Sequence, residues 1–331
     1  MKISIIIPVY NLEQYIGKLL YSIQAQDYED YEVILVNDGS TDRSVEVIKE
    51  IICADERFHL INQENQGPGA ARNTGINVAR GEYILFFDGD DFITEKTALS
   101  TLAKYAEKDF DILVYPVQHA SNDDMMVHAS TIKYEEIFGE VQDFTSVLKL
   151  MLKKGLLLSS PYEQMLKRSY LLKHELYFPL GIFSEDIEWI IRIMQTEPKI
   201  EFRDYQFYCY RWNRPESTCN SQKIKWEKER KIISFINYYY KELAVRDDLL
   251  SRLILSYISY HWCVAGSNVA KLDKKEEREL GFKMLKETKD ILRYDVMKKV
   301  KIFRLVSNVL GIKRAASLGA WRYNIKRKIL R

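Results

Sequence analysis

Three carboxylates fall within four residues at Asp88-Gly89-Asp90-Asp91, directly after the wholly apolar run Ile84-Leu85-Phe86-Phe87. Acids this close repel one another and are costly at a half-buried strand end without a cation. Asp88 and Asp90, two apart in a turn, can point to one spot. Hard divalent ions such as Mg2+ or Mn2+ take such oxygens together with phosphate oxygens and water. The competing reading is a solvated Asp/Gly turn in which Asp91 caps a helix beginning near Thr94. Asp38, within Asn37-Asp38-Gly39-Ser40, has a similar pair of readings. It is either part of a turn in which Ser40 or Thr41 caps the next helix, or a carboxylate accepting the imide N–H of a uracil stacked on the Tyr10 ring. Gly67-Pro68-Gly69 before a helix bearing Arg72 suits approach of a phosphate to a helix N-terminus, or else a tight turn with an arginine packed on the sheet. No G-x-G-x-x-G follows the first apolar run and no G-x-x-x-x-G-K-[ST] occurs in the sequence. Dinucleotide oxidoreductases and P-loop enzymes thereby lose their main support.

The elements that must position these residues alternate. Ile3 to Val9 is a short β-branched run of the kind found in buried parallel strands, and Leu12, Ile16, Leu19, Leu20 and Ile23 then share one helical face. Glu32–Val36, Phe58–Ile61, Tyr83–Phe87 and Asp111–Val117 read as further strands. Between them lie helices carrying Val45, Ile48 and Ile51, and one from about Gly69 to Ala79 stopped by Gly81. This is an α/β pattern: a mainly parallel sheet with helices on both faces, whose right-handed crossovers put ligands at the strand carboxyl ends. The loops Pro8-Val9-Tyr10-Asn11, Asn37 to Ser40 and Asp88 to Asp91 must share that edge. After about Ser121 the rhythm changes. Phe144–Leu152 and Gln164–Leu172 read as short helices, Ile187, Ile190, Ile191 and Met194 mark another, and Ile200–Trp212 reads as one aromatic-rich strand. Beyond Gln222 the pattern is helical.

The chain has 331 residues, 47% apolar and 29% charged, enough to bury a core and too apolar for disorder. No apolar run reaches the roughly 18 residues of a spanning helix, and the N-terminus enters a strand pattern at once, against a signal peptide. The four cysteines lie far apart with no C-x-x-C pair, which argues against zinc and against a disulfide framework. A reduced, cytoplasmic protein is the expectation. The 49 basic and 47 acidic residues are unevenly spread. Eleven Lys/Arg and no acid lie between Lys298 and Arg331, which leaves 38 basic against 47 acidic residues before it, a net of −9. That balance speaks against a polyanion-binding body, and no nucleic-acid partner is expected.

Ser4-Ile-Ile-Ile-Pro-Val-Tyr-Asn11, Val36-Asn-Asp-Gly-Ser-Thr-Asp42, Gly67-x-x-x-Ala-Arg-Asn73 and Phe87-Asp-Gly-Asp-Asp91 stand in order at fitting intervals. Together they closely resemble glycosyltransferase family 2, the inverting nucleotide-sugar enzymes with the GT-A fold. The resemblance is strong over the first part of the chain and extends to about residue 220. It implies a GT-A catalytic domain at 1–220, with a nucleotide-sugar half at 1–120 and an acceptor half at 121–220, followed by a helical region at 221–331. It implies a UDP-sugar donor with Mn2+ or Mg2+ held by Asp90 and Asp88. Donor contacts are implied at Pro8, Tyr10, Asn11, Glu13, Asp38, Gly67, Arg72, Asp88, Gly89, Asp90, Arg211 and Arg214; the last two, from Arg211-Trp-Asn-Arg214-Pro-Glu-Ser217-Thr218, either reach the diphosphate or are ordinary surface charges. The family also implies an acid pair opening a helix. Ser184-Glu185-Asp186 fits, with Asp186 as catalytic base and Glu185 as the fallback; a serine N-cap with acids in the first turn is the bland reading of the same residues. Tyr177, Phe178, Phe183 and Trp189 nearby suit stacking on a sugar face. The acceptor implied is a glycan or lipid-linked glycan in surface polysaccharide synthesis. Two rivals are a sugar nucleotidyltransferase, whose Gly-rich basic phosphate loop is missing from Tyr10-Asn11-Leu12-Glu13, and a non-catalytic sugar-nucleotide-binding protein.

The basic tail needs its own account. Ile302, Leu305/Val306 and Val309 repeat at helical spacing, and Leu318, Trp321, Ile325 and Ile329 do so again, with Lys and Arg between. That pattern suits a helix lying on an anionic membrane surface at the inner face of the cell membrane, beside a lipid-linked acceptor. Packing on the helical region or on a second copy of the chain is the other reading.

Overall fold

The computed structural model describes residues 2–121, 125–139, 141, 143–158, 160–182, 184–212 and 226–319. Its strands are β1 (Ile3–Val9), β2 (Tyr31–Asp38), β3 (Phe58–Gln63), β4 (Tyr83–Phe86), β5 (Phe92–Ile93), β6 (Ile112–Val114), β7 (Gln118–Ser121), β8 (Val127–His128), β9 (Gln164–Lys167), β10 (Ile200–Phe202) and β11 (Tyr208–Trp212). The helices are α1 (Ile16–Gln24), α2 (Ser44–Ile52), α3 (Pro68–Val78), α4 (Ala98–Tyr105), α5 (Tyr134–Phe138), α6 (Phe144–Lys154), α7 (Arg168–Lys173), α8 (Glu185–Gln195), α9 (Trp226–Leu243), α10 (Leu249–Val269), α11 (Lys275–Lys286) and α12 (Lys298–Leu310). The chain divides into two compact units. The first comprises Met1–Val141, Leu158–Gly181 and Glu185–Asn220, and the second Gln142–Leu157, Ile182–Ser184 and Ser221–Arg331.

In the first unit a seven-stranded sheet runs in the order β10-β6-β9-β4-β1-β2-β3. β1 pairs in parallel with β2 and β4, and β2 with β3, so the loops after these strands share one edge. β1 and β2 are buried at nearly every position, as strands covered on both faces must be. Helix α3 crosses so closely that a methyl on Gly75 would collide with Ile6 Cγ2. Gly75→Ala is expected to cost about 1–3 kcal/mol by overpacking, read as a lower denaturant midpoint at unchanged slope.

Three expectations change. Gln164–Leu172 is not one helix: Gln164–Lys167 is β9, which fills the slot between β4 and β6 and is antiparallel to both, and only Arg168–Lys173 is helical. Ile200–Trp212 is two strands. β10 extends the main sheet beside β6, while β11 belongs to a second sheet of order β5-β11-β7-β8. Asp111–Val117 likewise shortens to β6, and the chain passes on to β7 of that second sheet.

The second unit is helical. α10 is its central element, in contact with α6, α9, α11 and α12. Asp248 caps it by accepting from Ser251 N at 2.7 Å, and Trp262, fully buried, donates to Thr288 Oγ1. α6, which the sequence reading placed in the acceptor half, groups here because Val147, Leu148, Met151 and Leu152 form a buried stripe against this unit. Among the described residues no helix is long and apolar enough to cross a membrane.

Candidate active site

The loops after β1 and β2 are laced together by hydrogen bonds. Asn11, with φ 53°, donates its N–H to Ser40 Oγ at 3.1 Å, and its Oδ1 accepts from Thr41 N at 2.8 Å. Leu12 N donates to Ser44 Oγ and Glu13 N to Asp42 Oδ2, while Glu13 Oε2 accepts from Arg43 N at 2.9 Å. Ser40 and Thr41 therefore tie two loops and cap no helix; α2 starts after Arg43 without a side-chain cap. Glu13 faces α2's N-terminus, a favourable place for an acid. Tyr10 stands out from this lacing with 49% exposure, an aromatic face open at the sheet edge.

Asp38 is buried, and its oxygens accept from Gln63 Nε2, Gln66 N and Gly67 N at 2.8–2.9 Å. Its task in the structure is to hold the loop that opens α3. Gly67 sits there at φ 92°, a conformation L side chains rarely adopt. Three of a carboxylate's roughly four acceptor positions are used, leaving one on Oδ2.

The acidic loop is braced by β11. The Tyr208 hydroxyl donates to Asp91 Oδ2 and accepts from Asp88 N at 3.0 Å; Arg211 N donates to Asp91 Oδ1 at 2.8 Å. Arg211 Nε donates to the Asp90 carbonyl at 2.8 Å, with its guanidinium over the Tyr15 and Phe92 rings. Asp91 is thus not the cap of a helix near Thr94: β5 follows it, and α4 begins only at Ala98. Burial, then the charges of Asp90 and Asp88, push its carboxyl well above the usual range. Gly89 is fixed by packing, since a Cβ there would lie 2.6 Å from Leu12 Cδ1. Arg211 is a brace of this loop, and Arg214 and Phe183 lie outside the described residues.

Arg72, buried on α3, spans two acids: Nη2 reaches Asp88 Oδ1 at 2.8 Å and Nη1 reaches Glu185 Oε1 at 3.1 Å. Among the described residues Nε has no hydrogen-bond partner. Burial opposes its charge, but Asp88 and Glu185 outweigh that and hold the guanidinium more basic than usual. One side chain therefore joins the Asp88–Asp90 loop to the acid pair at the start of α8. Ser184, at φ 61°, is left-handed, not the extended conformation of a capping serine. Within the pair the two carboxylates differ. Glu185 is held by Arg72 and packs close to Gly69. Asp186 Oδ1 accepts from the Ile187 N–H, and burial, then the Glu185 charge, push its carboxyl up to about 6. A buried structural acid behaves differently. Burial raises the Glu32 carboxyl too, yet bonds from Ser4 and Arg80 leave it below the usual range.

Phe178 and Trp189 do not form a sugar platform. They stack on each other at 4.5 Å and pack edge-on to Phe86; Trp189 is fully buried and donates Nε1–H to Leu176 O. Tyr177 donates to Asn77 Oδ1. Asn73 clamps this loop by donating to Phe178 O and accepting from Phe178 N, a role not read from the sequence although Asn73 lies in the third motif. Tyr208 was also missed. Nothing near it in sequence points to an acid 117 residues earlier.

Among the described residues no group of three or more His, Cys, Asp or Glu side chains is placed to hold a metal. Asp88, paired with Arg72, and Asp90 are half-buried, while Asp91 is fully buried. Two acids completed by substrate phosphate oxygens and water fit Mg2+ or Mn2+ binding.

A family model described as Glycosyl transferase family 2 matches residues 4–173, which contain all four loop motifs. The chain belongs to glycosyl transferase family 2. Among its relatives, glycosyltransferase GlyA of Streptococcus pneumoniae is 34% identical over 213 residues, 63% of this chain and 30% of that protein's length. The uncharacterized glycosyltransferase EpsJ of Bacillus subtilis is 26% identical over 330 residues, 97% of this chain and 92% of EpsJ. The crystal structure of Staphylococcus aureus TarS 1–349 in complex with UDP-GlcNAc superposes with a TM-score of 0.72 at 20% identity, covering 98% of this chain and 92% of that one. The fold is that of the GT-A enzymes with a helical C-terminal region.

Proposed function

We propose that the chain transfers a sugar from a UDP-sugar to a hydroxyl of a glycan or lipid-linked glycan acceptor, with inversion, in surface polysaccharide synthesis. The observation that supports this reading is the Arg72 bridge, which joins Asp88 of the acidic loop after β4 to Glu185 at the start of α8. Asp186 is the base: it takes the acceptor proton as the oxygen attacks the anomeric carbon from the face opposite the leaving diphosphate, and no covalent enzyme intermediate is needed. Glu185 and Arg72 position it. Asp90 and Asp88 would hold a divalent ion, which when bound would supply charge neutralisation for the leaving diphosphate. Tyr10 offers its exposed ring to the base, and the acceptor position left on Asp38 Oδ2 suits the uracil imide. The UDP-GlcNAc bound by TarS supports the choice of uridine. Family membership favours glycosyl over nucleotidyl transfer.

A screen of nucleotide sugars against acceptors, read by product mass, tests the reaction; hydrolysis or transfer with none of them removes it. The base preference has a simpler check. UDP at about a hundred times its Kd is expected to stabilise the protein by about 2.7 kcal/mol in thermal melts, with GDP and ADP doing less at equal concentration. An equal or larger shift with GDP refutes the uracil assignment.

A further inference from the structure

Helix α12 turns an apolar stripe away from its own unit. Its inner side is Val300 and Ser307, buried, with Phe303 edge-on to Trp262 at 5.9 Å. Its outer side carries Ile302, Leu305 and Val309, exposed by 42, 54 and 82%. At 3.6 residues per turn these three fall within about 60° of one another. Among the described residues nothing covers Ile302, Leu305 and Val309, while Val306 beside them is half-buried. Lys298 lies on the same stripe, and Lys301 and Lys299 flank it on either side, all exposed. Arg304 is taken by Asp295 at 2.9 Å and Lys313 by Glu279, while Lys298 and Lys301 have no acid partner among the described residues. From Lys298 to the end of the sequence there is no acid at all.

A second copy of the chain fits this face poorly. Lysine, which the first turn of α12 carries at 298, 299 and 301, is depleted at protein interfaces. Lipid headgroups of opposite charge neutralise the lysines, whose stems can lie along the apolar stripe while the ammonium groups stay in water. We propose that the outer face of α12, with Ile302, Leu305 and Val309 between Lys298, Lys299 and Lys301, docks on an anionic lipid bilayer. The inference stands apart from the sugar-transfer reading, because none of these residues belongs to the candidate active site.

The test is cosedimentation of the full chain with vesicles of phosphatidylcholine containing phosphatidylglycerol, compared with phosphatidylcholine alone. Two triple variants accompany it: Ile302→Ser with Leu305→Ser and Val309→Ser, and Lys298→Gln with Lys299→Gln and Lys301→Gln. All six side chains are exposed, so the melting temperature should match the parent and certify the fold. The parent is expected to sediment with anionic vesicles only and to be released as salt rises. At about fivefold per basic side chain near the surface, the lysine variant should bind about a hundredfold more weakly, and the serine variant should also lose binding. Equal binding by all three proteins, or binding by none, overturns the proposal. So does light scattering that finds a dimer which the serine variant alone dissolves, since the face then belongs to a second copy.

Discussion

Asp186→Asn is expected to lower kcat by about a thousandfold while leaving the affinity for the nucleotide sugar nearly unchanged. The asymmetry follows from what each acid of the pair touches. Arg72 holds Glu185 at 3.1 Å, so Glu185 is part of an ion-paired frame, whereas the Asp186 carboxyl is raised to about 6 by burial and by its neighbour's charge. A base poised there is ionised at neutral pH and still takes a proton readily. kcat/KM should rise with pH and level off above about 6, and the variant's residual rate should lack that limb. Glu185→Gln should not abolish transfer. Removing its charge lowers the Asp186 carboxyl, so the limb should move to lower pH, with some stability lost as Arg72 gives up a partner.

The same shift predicts a stability signature. The folded value of about 6 lies above the unfolded carboxylate range, so folding favours the protonated form. The contribution of Asp186 is most favourable below the unfolded value and is lost as pH rises through 6. Asp186→Asn, which carries no charge, should therefore melt at or above the parent temperature at neutral pH, with the difference vanishing in acid. A dead variant that also melts early, or that has lost UDP-sugar binding, marks Asp186 as structural. An active Asp186→Asn beside a dead Glu185→Gln reverses the two roles.

The parallel strands with their loops were legible in the sequence because each is a local pattern: an apolar run, then polar residues that cannot remain inside. Ile3–Val9 and the acids after Phe87 are of this kind. Gln164–Lys167 was not, because it holds no β-branched residue and becomes a strand only by completing the ladder between β4 and β6. Trp189 misled for a related reason. Its type suits a sugar face, but the next shell, Phe178 and Phe86, belongs to other parts of the chain and closes over it. Motif residues also divide their work in a way that spacing does not reveal. Tyr10 is exposed, while Asp38, Glu13 and Gly89 are fixed by loops and by packing within the chain. The Arg72 bridge joins residues 113 apart, so only the folded chain displays it.

Asp90→Asn is expected to lower kcat by about a hundred- to thousandfold, and excess EDTA should do the same to the parent. Of the three acids after β4, Asp91 is buried and occupied with Tyr208 and Arg211, and Asp88 shares its charge with Arg72. Asp90 has its carbonyl pinned by Arg211 Nε, which fixes the backbone from which its carboxylate projects. Losing that carboxylate should do little harm to the fold, because Asp90 and Asp88 both push the buried Asp91 carboxyl up and removing one of those charges relieves repulsion. The apo variant should accordingly melt at or slightly above the parent temperature. A metal ligand and a merely structural acid part company when Mn2+ is added with UDP. The parent should gain a further stabilisation over UDP alone, and Asp90→Asn should gain none. Full transfer by the parent in excess chelator would remove the metal from the mechanism, and an Mn2+-dependent shift that survives in Asp90→Asn would move the ion to other ligands.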